Sequence, residues 1–186
     1  MYISVYLSVS LSIYLSVYLL QKTRDEVVTL EPAFDTYPAQ VQMAGGVSVY
    51  VPLELDVESR NWKLDTNKME KAITKKTKIL LLNTPHNPSG KVLTKQELED
   101  IASILKRNPH VTAVMDEVYE KLVYDGKEHI RLASLPGMWD RCITISSSGK
   151  TFSGKLDIFL FFPLLKLTKS FKFTHLLLIN MFIFYL

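Results

Sequence analysis

Residues 78–90 read KILLLNTPHNPSG, a short apolar run followed directly by a segment with two prolines and one glycine. An uninterrupted apolar run such as 79–82 is typical of a strand that is buried on both faces of a parallel sheet. Prolines and glycine interrupt regular structure, so residues 83–90 predict a loop at the carboxyl end of that strand.

The sequence that follows this stretch continues with helices and strands. Residues 94–97, TKQE, form a capping box that predicts a helix start, and Asn108-Pro109 predicts its end. Residues 111–115 and 142–145 are two more short apolar runs that predict buried strands. Strands and helices joined by short links predict right-handed crossovers and a parallel sheet.

The sequence before residue 78 fits the same α/β pattern. Residues 47–53 are rich in β-branched and aromatic side chains and follow Gly45-Gly46, which predicts a turn and then a strand. Residues 65–75 have apolar side chains at helical spacing, with Asp65 as the predicted N-cap. The predicted fold class is therefore α/β, a mostly parallel sheet with helices on both faces.

Polar side chains follow three of the predicted strands. Asn87 lies in the loop after the first, Asp116 follows the second, and Ser147 and Lys150 follow the third. Ligands of open α/β sheets bind outside the carboxyl ends of the strands. We therefore expect one cleft that holds an amide, a carboxylate, a hydroxyl and an amine.

Composition narrows the classes of function. The chain has 186 residues and a net charge of +3, which is too small to indicate a nucleic-acid-binding protein. Its single cysteine, Cys142, excludes a disulfide scaffold, and its histidines lack the spacing of metal ligands, so we predict no metal site. We expect His86 to line the cleft, and His110 and His129 to lie at the surface.

The two ends of the chain differ from the middle. Residues 1–22 form an apolar repeat of about four residues, with no charged side chain in the first 21. We interpret it as low-complexity sequence, with a membrane or signal segment as the alternative. Residues 155–186 form an apolar tail unlike the middle segment. We interpret it as non-native sequence, with a buried strand or an interfacial helix as the alternatives. The predicted domain is 23–154.

Several motifs of this middle segment resemble those of class I/II aminotransferases, which are pyridoxal phosphate enzymes of fold type I. They are residues 83–90 (NTPHNPSG), 116–119 (DEVY) and 147–153 (SSGKTFS). Residues 31–34 (EPAF) and 133–139 (ASLPGMW) are similar to kynurenine/glutamine transaminases, which also act as cysteine-conjugate β-lyases. The resemblance covers about residues 26–153 and implies a partial large domain, without the N- and C-terminal parts of the family.

The resemblance implies pyridoxal 5'-phosphate as the cofactor and gives roles to six residues. Lys150 would be the catalytic residue, which forms a Schiff base and transfers protons. The cofactor-binding residues would be Asp116 at the ring nitrogen, Tyr119 and Asn87 at the phenolic oxygen, Ser147 at the phosphate and Phe34 stacked on the ring.

Each of these residues also has an ordinary structural interpretation. Lys150 resembles any solvated surface lysine, and Asp116 is a common type of helix N-cap. Asn87 suits a turn before proline, Tyr119 and Phe34 suit core packing, and Ser147 is one hydroxyl in a serine run.

The expected function is transamination between an amino acid and a 2-oxo acid. After Ser153 the sequence departs from the family, so we expect little activity from this chain and poor folding of its incomplete sheet. The alternatives are a non-catalytic fragment that pairs with a full-length subunit, and a membrane-anchored protein if the apolar ends are native. The resemblance further implies a homodimer, and a cytoplasmic or mitochondrial location.

Overall fold

The computed structural model describes residues 24–151 and 158–161, and within them seven strands form one sheet. The strands are β1 (Glu26–Glu31), β2 (Val47–Asp56), β3 (Asn61–Leu64), β4 (Thr77–Asn83), β5 (Thr112–Asp116), β6 (Cys142–Ser147) and β7 (Ile158–Phe161). Their order across the sheet is β3-β2-β1-β4-β5-β6-β7. The predicted apolar repeat, 1–22, and all of the predicted tail except 158–161 lie outside the described residues.

The sheet is parallel in its centre and antiparallel at its two ends. Strands β2, β1, β4, β5 and β6 pair in parallel, whereas β3 pairs antiparallel with β2, and β7 antiparallel with β6. Strand β4 lies between β1 and β5, and its residues 79–82 are fully buried. The prediction of a mostly parallel sheet around this apolar run is confirmed.

Four α-helices accompany the strands within the described residues. They are α1 (Thr36–Met43), α2 (Thr66–Ala72), α3 (Lys95–Arg107) and α4 (Ser148–Thr151). Asp65 caps α2 by accepting hydrogen bonds from two backbone amides, and α3 begins with the predicted capping box. Helix α2 ends at Ala72, before the predicted Lys75, because Ile73 has an extended backbone.

The chain turns sharply between α1 and β2. Gly45 has φ +82°, a left-handed conformation that glycine adopts without steric cost. The amide of Gly45 donates to the carbonyl of Gln42, and the amide of Gly46 donates to the carbonyl of Val41. This is the hydrogen-bond pattern of a Schellman motif, and it confirms the predicted turn before β2.

Two apolar layers cover the two faces of the sheet. The larger layer includes buried residues of α2 and α3, such as Met69, Leu98 and Ile101. The other layer includes Tyr37 and Val41 of α1. Helices therefore lie on both faces, as predicted, and both layers include residues of β4, β5 and β6.

No helix in residues 24–151 or 158–161 combines the length and apolar character needed to cross a bilayer. The apolar segment predicted as a possible anchor at the start of the chain lies outside the residues that the structure describes.

Candidate active site

The carboxyl ends of three neighbouring parallel strands meet at one edge of the sheet. Asn83, the last residue of β4, is in register with Asp116, the last residue of β5. Asp116 is in turn in register with Ile145 of β6, two residues before Ser147. The expected convergence of polar groups that follow these strands therefore agrees with the register of the sheet.

The Asp116 carboxyl group is buried, with only 3% of the residue exposed. Its Oδ2 accepts a hydrogen bond from the Tyr37 hydroxyl at 2.5 Å, and its Oδ1 accepts one from the backbone amide of Val118 at 3.3 Å. Turns, not a helix, follow Asp116, so it is not a helix N-cap.

Burial raises the pKa of Asp116 to about 6, because a desolvated carboxylate is less stable than the neutral acid. The hydrogen bonds from Tyr37 and Val118 oppose this rise in pKa, the nearby carboxylate of Glu117 adds to it, and the positive charge of Lys150 opposes it. Asp116 is thus a buried acid that titrates close to neutral pH, and a cation placed beside it would hold it ionised.

Lys150 lies on the short helix α4, directly after β6. Its Nζ is 5.3 Å from the centre of the Tyr119 ring, within the range of a cation–π contact. The backbone amide of Lys150 donates a hydrogen bond to Ser147 Oγ at 3.2 Å. The structure therefore brings together Lys150, Tyr119 and Ser147, which lie on two different segments of the chain.

Asn87 is tied to the same edge through Asn83. The Asn83 side chain accepts a hydrogen bond from the backbone amide of Asn87 at 2.6 Å through Oδ1. It donates through Nδ2 to the backbone carbonyl of Asp116 at 2.8 Å. Asn83 is 2% exposed, so this buried amide fixes the loop after β4 to the end of β5.

Phe34 lies on the segment between β1 and α1. Its ring meets the ring of Tyr37 edge to face, with centroids 5.4 Å apart and planes at 80°. Phe34 is half-buried against the apolar layer that contains Tyr37. It therefore reaches Asp116 through one intervening residue, Tyr37.

A second set of charged and titratable side chains surrounds Glu117, the residue that follows Asp116. Glu117 is fully buried, and its carboxylate oxygens lie 3.7 Å from His129 Nε2 and 3.6 Å from Arg131 Nε. The expectation that His129 lies at the surface is wrong, because only 7% of its side chain is exposed. His110 is exposed, as expected.

His86 is buried within the loop after β4 and does not simply line an open cleft. Its Nδ1 lies 2.7 Å from Ser89 Oγ, and the residue is 5% exposed. Burial lowers the pKa of His86 to about 4, and the positive charge of Lys91 adds to the effect. His86 is therefore a neutral ring at physiological pH and stabilises the loop.

Two open clefts of about 670 and 610 Å³ occur among the described residues, and none of the six predicted site residues lines either of them. Within 24–151 and 158–161, no group of three or more His, Cys, Asp or Glu side chains is arranged to hold a metal ion.

Sequence reasoning missed two residues of this cluster, Tyr37 and Asn83. Tyr37 is 79 positions from its partner Asp116, a separation that no local pattern bridges. Asn83 was predicted as the first residue of the loop 83–90, whereas in the structure it is the last residue of the buried strand β4. A polar residue at that point must find a partner inside the protein, since buried amides are almost always hydrogen-bonded.

Residues 9–154 match the sequence profile of the family "Aminotransferase class I and II". A kynurenine–oxoglutarate transaminase of Dictyostelium discoideum is 46% identical over 141 residues, which cover 69% of this chain and 32% of that protein. The chain thus spans about a third of the length of the curated relatives that it matches.

Solved structures give the same result. The N-succinyldiaminopimelate aminotransferase of Mycobacterium tuberculosis superimposes with a TM-score of 0.73 at 40% identity, over 76% of this chain and 36% of that one. Cystalysin of Treponema denticola, which contains pyridoxal 5'-phosphate, superimposes with a TM-score of 0.73 at 27% identity, over 77% and 36%. The fold is that of part of a fold type I domain, and the chain belongs to the class I and II aminotransferases.

Proposed function

We propose that this chain binds pyridoxal 5'-phosphate and belongs to an enzyme that transfers an amino group from an amino acid to a 2-oxo acid. The observation that carries the proposal is the buried Asp116 carboxyl group, with the Lys150 amine near the Tyr119 ring at the end of the next strand. The family membership and the cofactor of cystalysin support it.

The residues present fit this cofactor. Asp116 is buried, and Lys150 is the nearby charge that lowers its pKa, whereas Glu117 raises it. A protonated ring nitrogen is the kind of compact cation that would offset the cost of ionising such an acid. Phe34 offers a half-buried aromatic ring, and Ser147 a buried hydroxyl.

When bound, the cofactor supplies an electron sink for the negative charge that develops at the substrate α-carbon. The chain supplies the other functions. Asp116 would hold the ring nitrogen, Tyr119 and Asn87 the phenolic oxygen, Ser147 the phosphate, and Phe34 a ring face. Lys150 Nζ would anchor the cofactor and move a proton at the substrate α-carbon as general base and acid.

The substrate class that we propose is that of kynurenine/glutamine transaminases, because the similar curated proteins are named kynurenine–oxoglutarate transaminases. In this proposal the described residues would form the cofactor side of the site. We propose that the chain alone transaminates slowly, since it spans about a third of the length of these relatives. We also propose that the complete enzyme is a homodimer.

The test is reductive trapping. The purified chain is incubated with pyridoxal 5'-phosphate, reduced with borohydride, digested and mapped by mass spectrometry. We expect the modification on Lys150, and its loss in Lys150→Ala. Lys121→Ala, which removes an exposed lysine, is the matched control and should leave the modification unchanged.

Two results would contradict the proposal. One is that the reduced cofactor spreads over surface lysines and Lys150 is not preferred. The other is that Lys150→Ala retains the same trapped fraction as the unchanged chain. Transamination of kynurenine with 2-oxoglutarate is measured separately, so that a slow reaction is distinguished from a failure to bind the cofactor.

A further inference from the structure

One residue that the sequence did not indicate contacts two of the proposed cofactor-binding residues. Tyr37, on α1, donates its hydroxyl to Asp116 Oδ2 at 2.5 Å and packs edge to face with the ring of Phe34. It is 2% exposed and lies among the apolar side chains that cover this side of the sheet. A buried tyrosine hydroxyl needs a partner, and here that partner is the site carboxylate.

We propose that Tyr37 is a positioning residue, whose hydrogen bond to Asp116 Oδ2 orients the carboxylate and favours its ionised form for pairing with the cofactor's ring nitrogen. The inference rests on the proposed function. It adds a residue from the segment after β1 to a site otherwise built from the ends of β4, β5 and β6.

The contact with Tyr37 has two effects on the Asp116 carboxylate. A hydroxyl that donates to a carboxylate stabilises the charged form, and such charge-assisted bonds are shorter and stronger than neutral ones. The bond also restrains carboxylate rotation, because Oδ2 is held by Tyr37 while Oδ1 is held by the Val118 amide. A carboxylate fixed in this way needs no rearrangement when a cation arrives.

The other charges around Asp116 do not replace Tyr37. Glu117 opposes ionisation of Asp116, whereas Lys150 favours ionisation of Asp116 through its charge alone. The hydrogen bonds that lower the pKa of Asp116 come from Tyr37 and Val118. Burial works against the ionised form throughout. Removal of the tyrosine hydroxyl would therefore leave a buried carboxylate with one backbone donor, a state that favours protonation.

The first experiment needs no cofactor. The pKa of Asp116 is measured by carbon-13 NMR titration in the full chain and in Tyr37→Phe, with Asp116→Asn to assign the signal. We expect the pKa to rise by about one unit in Tyr37→Phe, the tenfold effect expected for loss of a hydrogen bond to a charged group. Tyr50→Phe, at a partly exposed position on β2, is the control and should cause no shift.

The second experiment measures dissociation constants at pH 7.5 for pyridoxal 5'-phosphate and for its 1-deaza analogue, whose ring has no nitrogen to protonate. We expect Tyr37→Phe to weaken binding of the natural cofactor about tenfold and of the analogue less than about twofold. A tyrosine with a structural role alone would weaken both by the same factor, and that result would overturn the proposal.

Folding and function are kept apart by two further comparisons. If Tyr37→Phe does not fold, 3-fluorotyrosine at position 37 replaces it. This more acidic donor should lower the pKa of Asp116, and an unchanged or raised pKa would contradict the inference. If the unchanged chain binds no cofactor, the proposed function fails, while the NMR titration still decides the role of Tyr37.

Discussion

Replacement of Asp116 by asparagine should stabilise the cofactor-free chain at pH 8, although it removes a residue that we place in the site. The pKa of the buried carboxyl rises from an ordinary 3.8 to about 6, mainly through burial. A folded-state pKa above the unfolded one means that the folded chain binds the proton more tightly. Asp116 therefore reduces stability increasingly as pH rises through this window.

The size of the effect follows from the shift. This rise in the pKa of Asp116 lowers the free energy of unfolding by about 3 kcal/mol. The loss of stability is present in full above pH 6 and absent below about pH 4. The substituted asparagine would carry no charge, but it offers one oxygen where Asp116 offers two. One of the donors, from Tyr37 or Val118, would then lose its acceptor, at about 1 kcal/mol. The expected net gain at pH 8 is about 2 kcal/mol.

The assay is urea unfolding of both chains from pH 4 to pH 8. The informative quantity is the difference in unfolding free energy between Asp116→Asn and the unchanged chain. It should change by about 3 kcal/mol across this range, mostly between pH 4 and 6. Asp125→Asn, at an exposed turn, should show no such change. A difference for Asp116→Asn that stays constant with pH would refute the reasoning, whatever its size.

Three more substitutions test other parts of the structure, each by urea unfolding. Thr94→Ala removes the capping box of α3 and should cost about 1 kcal/mol, whereas Ser103→Ala on the same helix should have little effect. Leu98→Ala empties a fully buried position and should cost about 2–5 kcal/mol, far more than Leu122→Ala at a partly exposed one. His86→Asn should remove a loss of stability that develops as pH falls from 6.5 to about 4, because His86 is held neutral by burial; an unchanged acid slope would contradict this.

The sequence predicted the elements that carry strong local signals. The apolar run of β4 and the capping box before α3 are recognisable without knowledge of the rest of the chain, and both were located correctly. Strand β1 was missed, although it lies between β2 and β4 in the sheet. Its six residues have four buried positions with a glutamate at each end. So short a pattern does not distinguish a strand from a helix or a loop.

The other missed elements have weaker signals still. Helix α1 contains Pro38 in its first turn and no side-chain cap, so neither its start nor its face is evident from the sequence. Strand β3 has only four residues and follows a turn in which Arg60 adopts a positive φ. Its place at the edge of the sheet depends on pairing with β2, which is tertiary information.

Some residues of the candidate site could also be predicted from the sequence, whereas the contacts that hold them could not. Asp116, Ser147 and Lys150 could be placed together because the carboxyl ends of neighbouring parallel strands share one edge. The order of strands also implied that the loop of Asn87 lies there. The contacts that hold this cluster, from Tyr37 and Asn83, are hydrogen bonds between distant segments. Such contacts are set by packing and not by local spacing, so a single sequence does not reveal them.

The energetics of Asp116 connect stability to function. A buried carboxylate with a raised pKa weakens the cofactor-free fold at neutral pH, and a hydrophobic or amide side chain would fit the same place at lower cost. The hydrogen bonds from Tyr37 and Val118 and the charge of Lys150 offset part of this cost, and a cation bound beside the carboxylate would offset more of it. If the proposed cofactor supplies that cation, its binding stabilises the fold in two ways. It makes contacts with Lys150 and Ser147, and it also removes part of the cost of the buried Asp116 carboxylate. Cofactor binding should then raise the midpoint of unfolding more at pH 8 than at pH 5, because Asp116 is ionised in the folded chain only at the higher pH.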